Sequence, residues 1–151
     1  DLDVLARRQR LLMAGELAQV HHDWFPAHEA RYRKRTAELI CEGQNVSAAQ
    51  LDEARAGQAK LRVEIETHMR DEGIDLWICP AATGTAPKGI ESTGDPAMNF
   101  PWAQAGLPAL TIPAGQLGRL PLGLQVTAGF MQDEMLLAWG SDVESVLNGT
   151  Q

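Results

Sequence analysis

The sequence predicts a layered fold of the α/β or α+β class, and three observations predict it. Proline and glycine are unevenly placed: of eight prolines only Pro26 precedes residue 80, and ten of fourteen glycines fall between Gly84 and Gly149. Proline removes an amide donor and interrupts both regular structures, so long helices belong to the first half and loops, strands and turns to the second. Apolar residues in the first half recur at three- and four-residue steps, the helical period. The second half holds three short apolar runs and then one last segment of helical periodicity. Helices followed by strands with a covering helix call for two packed layers around one core.

The elements follow in order. Residues from about Leu2 to His22 are rich in helix formers, with Gly15 the weak point, and Asp23-Trp24-Phe25-Pro26 interrupts them. Pro26 suits the first turn of a new helix, where a missing N–H costs nothing; that helix is expected to run to about Cys41 and stop at Gly43. Its basic cluster, Arg31, Arg33, Lys34 and Arg35, reads as a solvated face. Ser47-Ala48-Ala49-Gln50 fits a capping box, a hydroxyl at the N-cap and an amide three residues on. Leu51, Ala54, Gln58, Leu61, Ile65 and Met69 then form one stripe, with Asp52 and Glu53 in the first turn, Arg70 in the last and Gly73 as C-terminal cap. Asp75 to Cys79 reads as a short buried strand ended by Pro80, and a long loop from Ala81 to Phe100 follows. Ala109 to Ile112 is a second strand between two prolines, Leu122 to Val126 a third. A final helix from about Asp133 to Leu147 is expected to bury Met135, Trp139, Val143 and Val146, with Leu136 and Leu147 beside them. The organisation is one domain over residues 1–151, mainly helical over 1–73, with strands, loops and the last helix over 74–151.

Composition narrows the function. Residues are 44% hydrophobic and 22% charged, a globular mixture, and the length suffices for one ordinary domain. With 13 Lys and Arg against 20 Asp and Glu the net charge is −7, a poor match to nucleic acid. No apolar stretch approaches the ~20 residues that span a bilayer, so no membrane role is expected. Cys41 and Cys79 stand far apart without a CxxC, and the expectation is two buried or half-buried reduced thiols in a cytoplasmic protein. The chain opens on Asp1 rather than Met, so it is expected to be processed, or cut from something longer.

Few side chains offer chemistry by themselves. His21 and His22 are adjacent, so on a helix they diverge by about 100°, and His28 and His68 are isolated; none has metal-ligand spacing. Lys88 and Ser92 lie four apart, but Ser–Lys chemistry needs a neutral lysine, and Pro87-Lys88-Gly89 beside Glu91 favours a solvated cation. Ala82-Thr83-Gly84-Thr85 is a small polar turn whose amides could face a ligand. The informative stretch is Thr93 to Trp102, which joins polar anchors to large apolar side chains, the mixture that lines small-molecule pockets.

At these residues the sequence resembles the C-terminal part of the amidase signature family. Gly94 to Gly115, GDPAMNFPWAQAGLPALTIPAG, is similar to that family's helix-turn-strand segment. Leu120 to Gly140, LPLGLQVTAGFMQDEMLLAWG, resembles the next strand and final helix. Asp75 to Gly89, DLWICPAATGTAPKG, resembles the preceding strand and loop, so the likeness covers about residues 15–147. It implies a mixed twisted sheet with helices packed on both faces. It also implies carboxamide hydrolysis through a Ser–Ser–Lys triad, without metal or organic cofactor, in which a neutral lysine acts through one serine to activate another. In the family those residues lie N-terminal to the region matched. This chain has no Ser-Ser pair and no Gly-Ser-rich run, and Lys34, Lys60 and Lys88 occupy other positions, so no catalytic residue carries over.

What carries over is a pocket wall. By position the resemblance implies substrate contacts at Thr85, Asp95, Asn99, Phe100 and Trp102. The expected partners are a small amide substrate and either the N-terminal portion of the same amidase or a second copy, because Leu76, Ile78, Leu110, Ile112, Leu124 and Val126 would want cover from outside residues 1–151. The alternative is a non-catalytic binding or structural module derived from an amidase.

Overall fold

The computed structural model describes residues 1–149. The chain divides between Ala59 and Lys60 into two compact units.

The first unit is helical. Helix α1, Leu2–Val20, is capped by Asp1, whose carboxylate accepts from the Asp3 N–H at 2.9 Å. Helix α2, Phe25–His28, a 3-10 turn, Glu29–Arg31, and helix α3, Lys34–Gly43, follow, and then α4, Ala48–Glu72, whose first half belongs here. The single helix expected from Pro26 to Cys41 is thus broken at Tyr32 and Arg33, both extended, with ψ of 145° and 143°. Aromatic packing compensates for the lost helical bonds. The Tyr32 ring stands edge-on to Phe25 and His21 at 5.3 and 5.4 Å, and its hydroxyl shares a hydrogen bond with His21 Nδ1 at 2.8 Å. Ala18, Phe25 and Ile40 form one core, and Leu12, Leu51 and Ala54 a second. The capping box forms: the Gln50 N–H donates to Ser47 Oγ at 3.3 Å and the Ser47 N–H to Gln50 Oε1 at 2.9 Å. On the surface Arg10 meets Glu42, and that carboxylate raises the guanidinium's pKa further; the basic cluster is exposed. Cys41, expected to be at least half-buried, is exposed because the apolar face of α3 centres on Ile40.

The second unit holds the sheet. Gly73, in the left-handed region at φ +65°, ends α4. Strands β1, Trp77–Pro80, β2, Ala109–Leu117, and β3, Leu120–Thr127, make a three-stranded sheet in the order β1-β3-β2. Both pairings are antiparallel, so the parallel pair of a mixed sheet is not among the described strands. A 3-10 turn, Ala97–Asn99, and helix α5, Phe100–Ala105, precede β2, and helix α6, Asp133–Gly149, closes the unit. Strand β2 continues past Pro113, where the sequence suggests a stop. It is an edge strand, where a missing donor is tolerated, and a bulge between Pro113 and Gln116 absorbs the irregularity.

Helices lie on both faces. Helix α6 covers one, building a core of Ile112, Val126, Ala128 and Leu136 with Leu76, Leu110, Leu124, Trp139, Val143 and Leu147 against it. Five of the six residues expected to want external cover are therefore covered or packed from within; Ile78 alone of them is exposed, at 57%. The buried stripe of α6 runs through Leu136, Gly140, Val143 and Leu147, one residue round from the face expected. Met135 and Val146 accordingly point outward, 48% and 69% exposed. On the opposite face Trp77 and Thr127 are cross-strand partners, and Trp77 lies between His68 of α4 and Trp102 of α5, at ring separations of 5.8 and 6.0 Å.

Candidate functional site

A concavity of about 680 Å³ opens at the end of β1 in the second unit. Its wall is Ile78–Pro87, the loop residues Thr93, Gly94 and Asp95, and Ala114 with Pro121–Leu124 of the hairpin. The local chemistry explains the shape. Pro80 ends β1, and the Ala81 N–H then donates to the Gly123 carbonyl at 2.9 Å. Gly123 permits that approach, since a Cβ there would stand 2.6 Å from Thr111 Cγ2 and 3.0 Å from Ala81 Cβ. The loop folds on itself through two short side-chain contacts: the Gly94 N–H donates to Ser92 Oγ at 3.1 Å, and the Ala97 N–H to Asp95 Oδ1 at 2.9 Å.

Thr85, half-buried, and Asp95, exposed, both line this cavity. Asp95 is the one charged side chain among the lining residues. The other three residues singled out from the sequence lie elsewhere. Asn99 is exposed at the end of the 3-10 turn, and Phe100 opens α5, half-buried. Trp102 faces a separate cavity of about 350 Å³ that it shares with Leu61, Glu64, Ile65, His68, Trp77 and Pro101. The long run Thr93–Trp102 therefore divides between two surfaces, because α5 turns its second half under the sheet.

Ser92 and Lys88 are both exposed, and no hydrogen bond joins them; the Ser92 hydroxyl is engaged by Gly94. His22 pairs with Asp23 at 3.0 Å, and among the described residues no group of three His, Cys, Asp or Glu could hold a metal ion. One residue escaped the sequence reading. Gln125 is 4% exposed, and its Nε2 donates to Cys79 Sγ at 3.4 Å and to the Met98 carbonyl at 3.2 Å. The available signal was a primary amide inside the apolar run Leu122–Val126.

A second clasp holds α5. Arg62 of α4 donates from Nε to the Ala105 carbonyl at 2.6 Å, and its guanidinium carbon lies 3.8 Å from the centre of the Phe130 ring. One turn on, Glu66 accepts from the Phe130 N–H at 3.2 Å.

A family model described as Amidase matches residues 3–137. The chain belongs to the amidase family. Among curated relatives, a glutamyl-tRNA(Gln) amidotransferase subunit of Thermosynechococcus vestitus is 34% identical over 90 residues, covering 54% of this chain and 19% of that protein. The corresponding subunit of Picosynechococcus is 38% identical over 72 residues, 42% of this chain and 15% of that protein. The chain thus spans a fifth or less of the length of these relatives. Among solved structures, an amidase superposes with a TM-score of 0.80 at 24% identity, covering 95% of this chain and 36% of that one. The peptide amidase of Stenotrophomonas maltophilia gives 0.64 at 20% identity, with 89% and 32% covered. These amidases share the fold of this chain over about a third of their own length. No helix among the described residues is long and apolar enough to cross a membrane.

Proposed function

We propose that residues 1–151 form the C-terminal portion of an amidase that hydrolyses a small carboxamide to a carboxylate and an amine or ammonia, through a Ser–Ser–Lys triad outside these residues. The observation that carries the reading is that the chain reproduces a third of an amidase fold, to a TM-score of 0.80, while its own serines and lysines form no nucleophile–base pair. An amide carbonyl needs an activated nucleophile, and the Ser92 hydroxyl, engaged by the Gly94 N–H, has no lysine beside it to serve as base. What the described residues offer is a wall. The 680 Å³ cavity is of the size that takes a small molecule, and Thr85 and Asp95 line it. Asn99, Phe100 and Trp102 are proposed to support that wall through α5.

On this reading residues 1–151 alone turn over no amide. Their partner is the remainder of the amidase domain, and the exposed Ile78 on the open edge of β1 is where that remainder is proposed to pack. The free thiols Cys41 and Cys79 suit a cytoplasmic enzyme.

The experiment compares the whole reading frame containing residues 1–151 with residues 1–151 by themselves, on a panel of small aliphatic and aromatic amides. Ammonia or amine release by the former alone supports the proposal. Turnover by the 151 residues alone contradicts it, and so does an upstream frame that encodes neither a lysine nor spaced serines; the latter result favours the non-catalytic module.

A further inference from the structure

We infer that Gln125 is a positioning residue that fixes the cavity wall by tying β1 to the loop that carries Asp95. A buried primary amide is costly unless its donors are met, so a side chain of this kind in mid-strand is held for a reason. Gln125 is 4% exposed, and Nε2 sends its protons to two separate segments. One acceptor, Cys79 Sγ, is on β1 and lines the cavity. The other, the Met98 carbonyl, is in the 3-10 turn that directly follows Asp95. Thiol sulfur is a weak acceptor and a carbonyl a strong one, so the Met98 bond carries the tie and the Cys79 bond orients it. The Asp95 carboxylate takes the Ala97 N–H at 2.9 Å, so its place follows that of the turn. Gln125 thereby sets how far the charged group of the wall stands from β1, and with it which amides fit.

The inference rests on the cavity being part of the substrate pocket, and its test has one arm that needs no turnover. In the unsubstituted chain, the Nε2 protons of Gln125 should exchange with solvent at least 100-fold more slowly than those of exposed Gln116, and show cross-relaxation to Met98 and Cys79. Exchange as fast as at Gln116 overturns the tie without any variant. In Gln125→Met, amide exchange at Ala97–Asn99 should rise at least tenfold while the β2–β3 hairpin changes less than twofold; equal changes in both would make Gln125 a packing residue only. In the whole enzyme, Gln125→Met should shift the kcat/KM ratio between a small and a bulky acyl amide at least tenfold. An equal loss on both substrates overturns the positioning role. If the unsubstituted whole protein cleaves no amide, the proposed function fails, and the exchange arm still decides the tie.

Discussion

Substituting Gly43 by alanine tests how closely the helices of the first unit approach. Gly43 is buried at the end of α3, and a Cβ there would overlap the Ala14 carbonyl of α1 and stand 2.9 Å from Ala18 Cβ. The obstruction is backbone, already held within a helix, so no rotamer relieves it. Restoring an ordinary contact of about 3.5–4.0 Å requires α3 to withdraw, and a gap of even 0.5–1 Å forfeits about a quarter to a half of the affected contact energy. The neighbours at stake are Ala18, Phe25 and Ile40, exposed by only 8%, 4% and 0%. Alanine gains up to about 1 kcal/mol over glycine in helix propensity. Overpacking costs about 1–3 kcal/mol, and a backbone clash belongs at the upper end. The expected balance is a loss of about 2 kcal/mol, which for a chain of this length lowers Tm by about 4–8 °C. Thermal and urea unfolding followed by circular dichroism measures it. Gly84→Ala is the control, since a Cβ there meets nothing within 4 Å, and it should stay within about 0.5 kcal/mol of the unsubstituted chain. A Gly43→Ala variant as stable as the parent would refute the close approach of α1 and α3.

Three further outcomes are expected. Thr127 is fully buried and its hydroxyl has no hydrogen-bond partner among the described residues, so Thr127→Val should stabilise by about 1 kcal/mol in urea unfolding; destabilisation would mean the hydroxyl is satisfied. Arg62→Met removes the bond to the Ala105 carbonyl and the contact with Phe130, and should cost about 2 kcal/mol, with Arg62→Lys recovering less than half in the same assay. Met131 is held at φ +61° while 77% exposed, so Met131→Gly should raise stability by about 0.5–1 kcal/mol, and a lower Tm would count against that backbone.

Local signals in the sequence were the readable ones. The Ser47–Gln50 box and the glycine stop at Gly73 depend on neighbours a few residues apart, and each forms where the pattern places it, whereas the strand expected over Asp75 to Cys79 starts two residues later and takes in Pro80. Departures arise where tertiary contacts outweigh local ones. Tyr32 leaves the helix for His21 and Phe25, and β2 carries Pro113 because an edge strand asks nothing of that donor. Met135 and Leu136 are equally apolar, and only the sheet beneath decides which of them turns inward. Gly43 reads as a terminator, whereas its effect lies in the approach of α1, 29 residues back at Ala14. The candidate site was half legible. Thr85 and Asp95 share a cavity, but the turn that sends Trp102 to another surface depends on Arg62 and Gln125, partners distant in sequence.

The central claim is that the working nucleophile lies outside residues 1–151. Its most direct test treats the whole protein with a serine-directed fluorophosphonate and locates the labelled peptide by mass spectrometry. The account predicts one labelled serine, outside these residues, with loss of amide turnover in step with labelling. Label on Ser47, Ser92, Ser141 or Ser145, in step with the same loss, would contradict it.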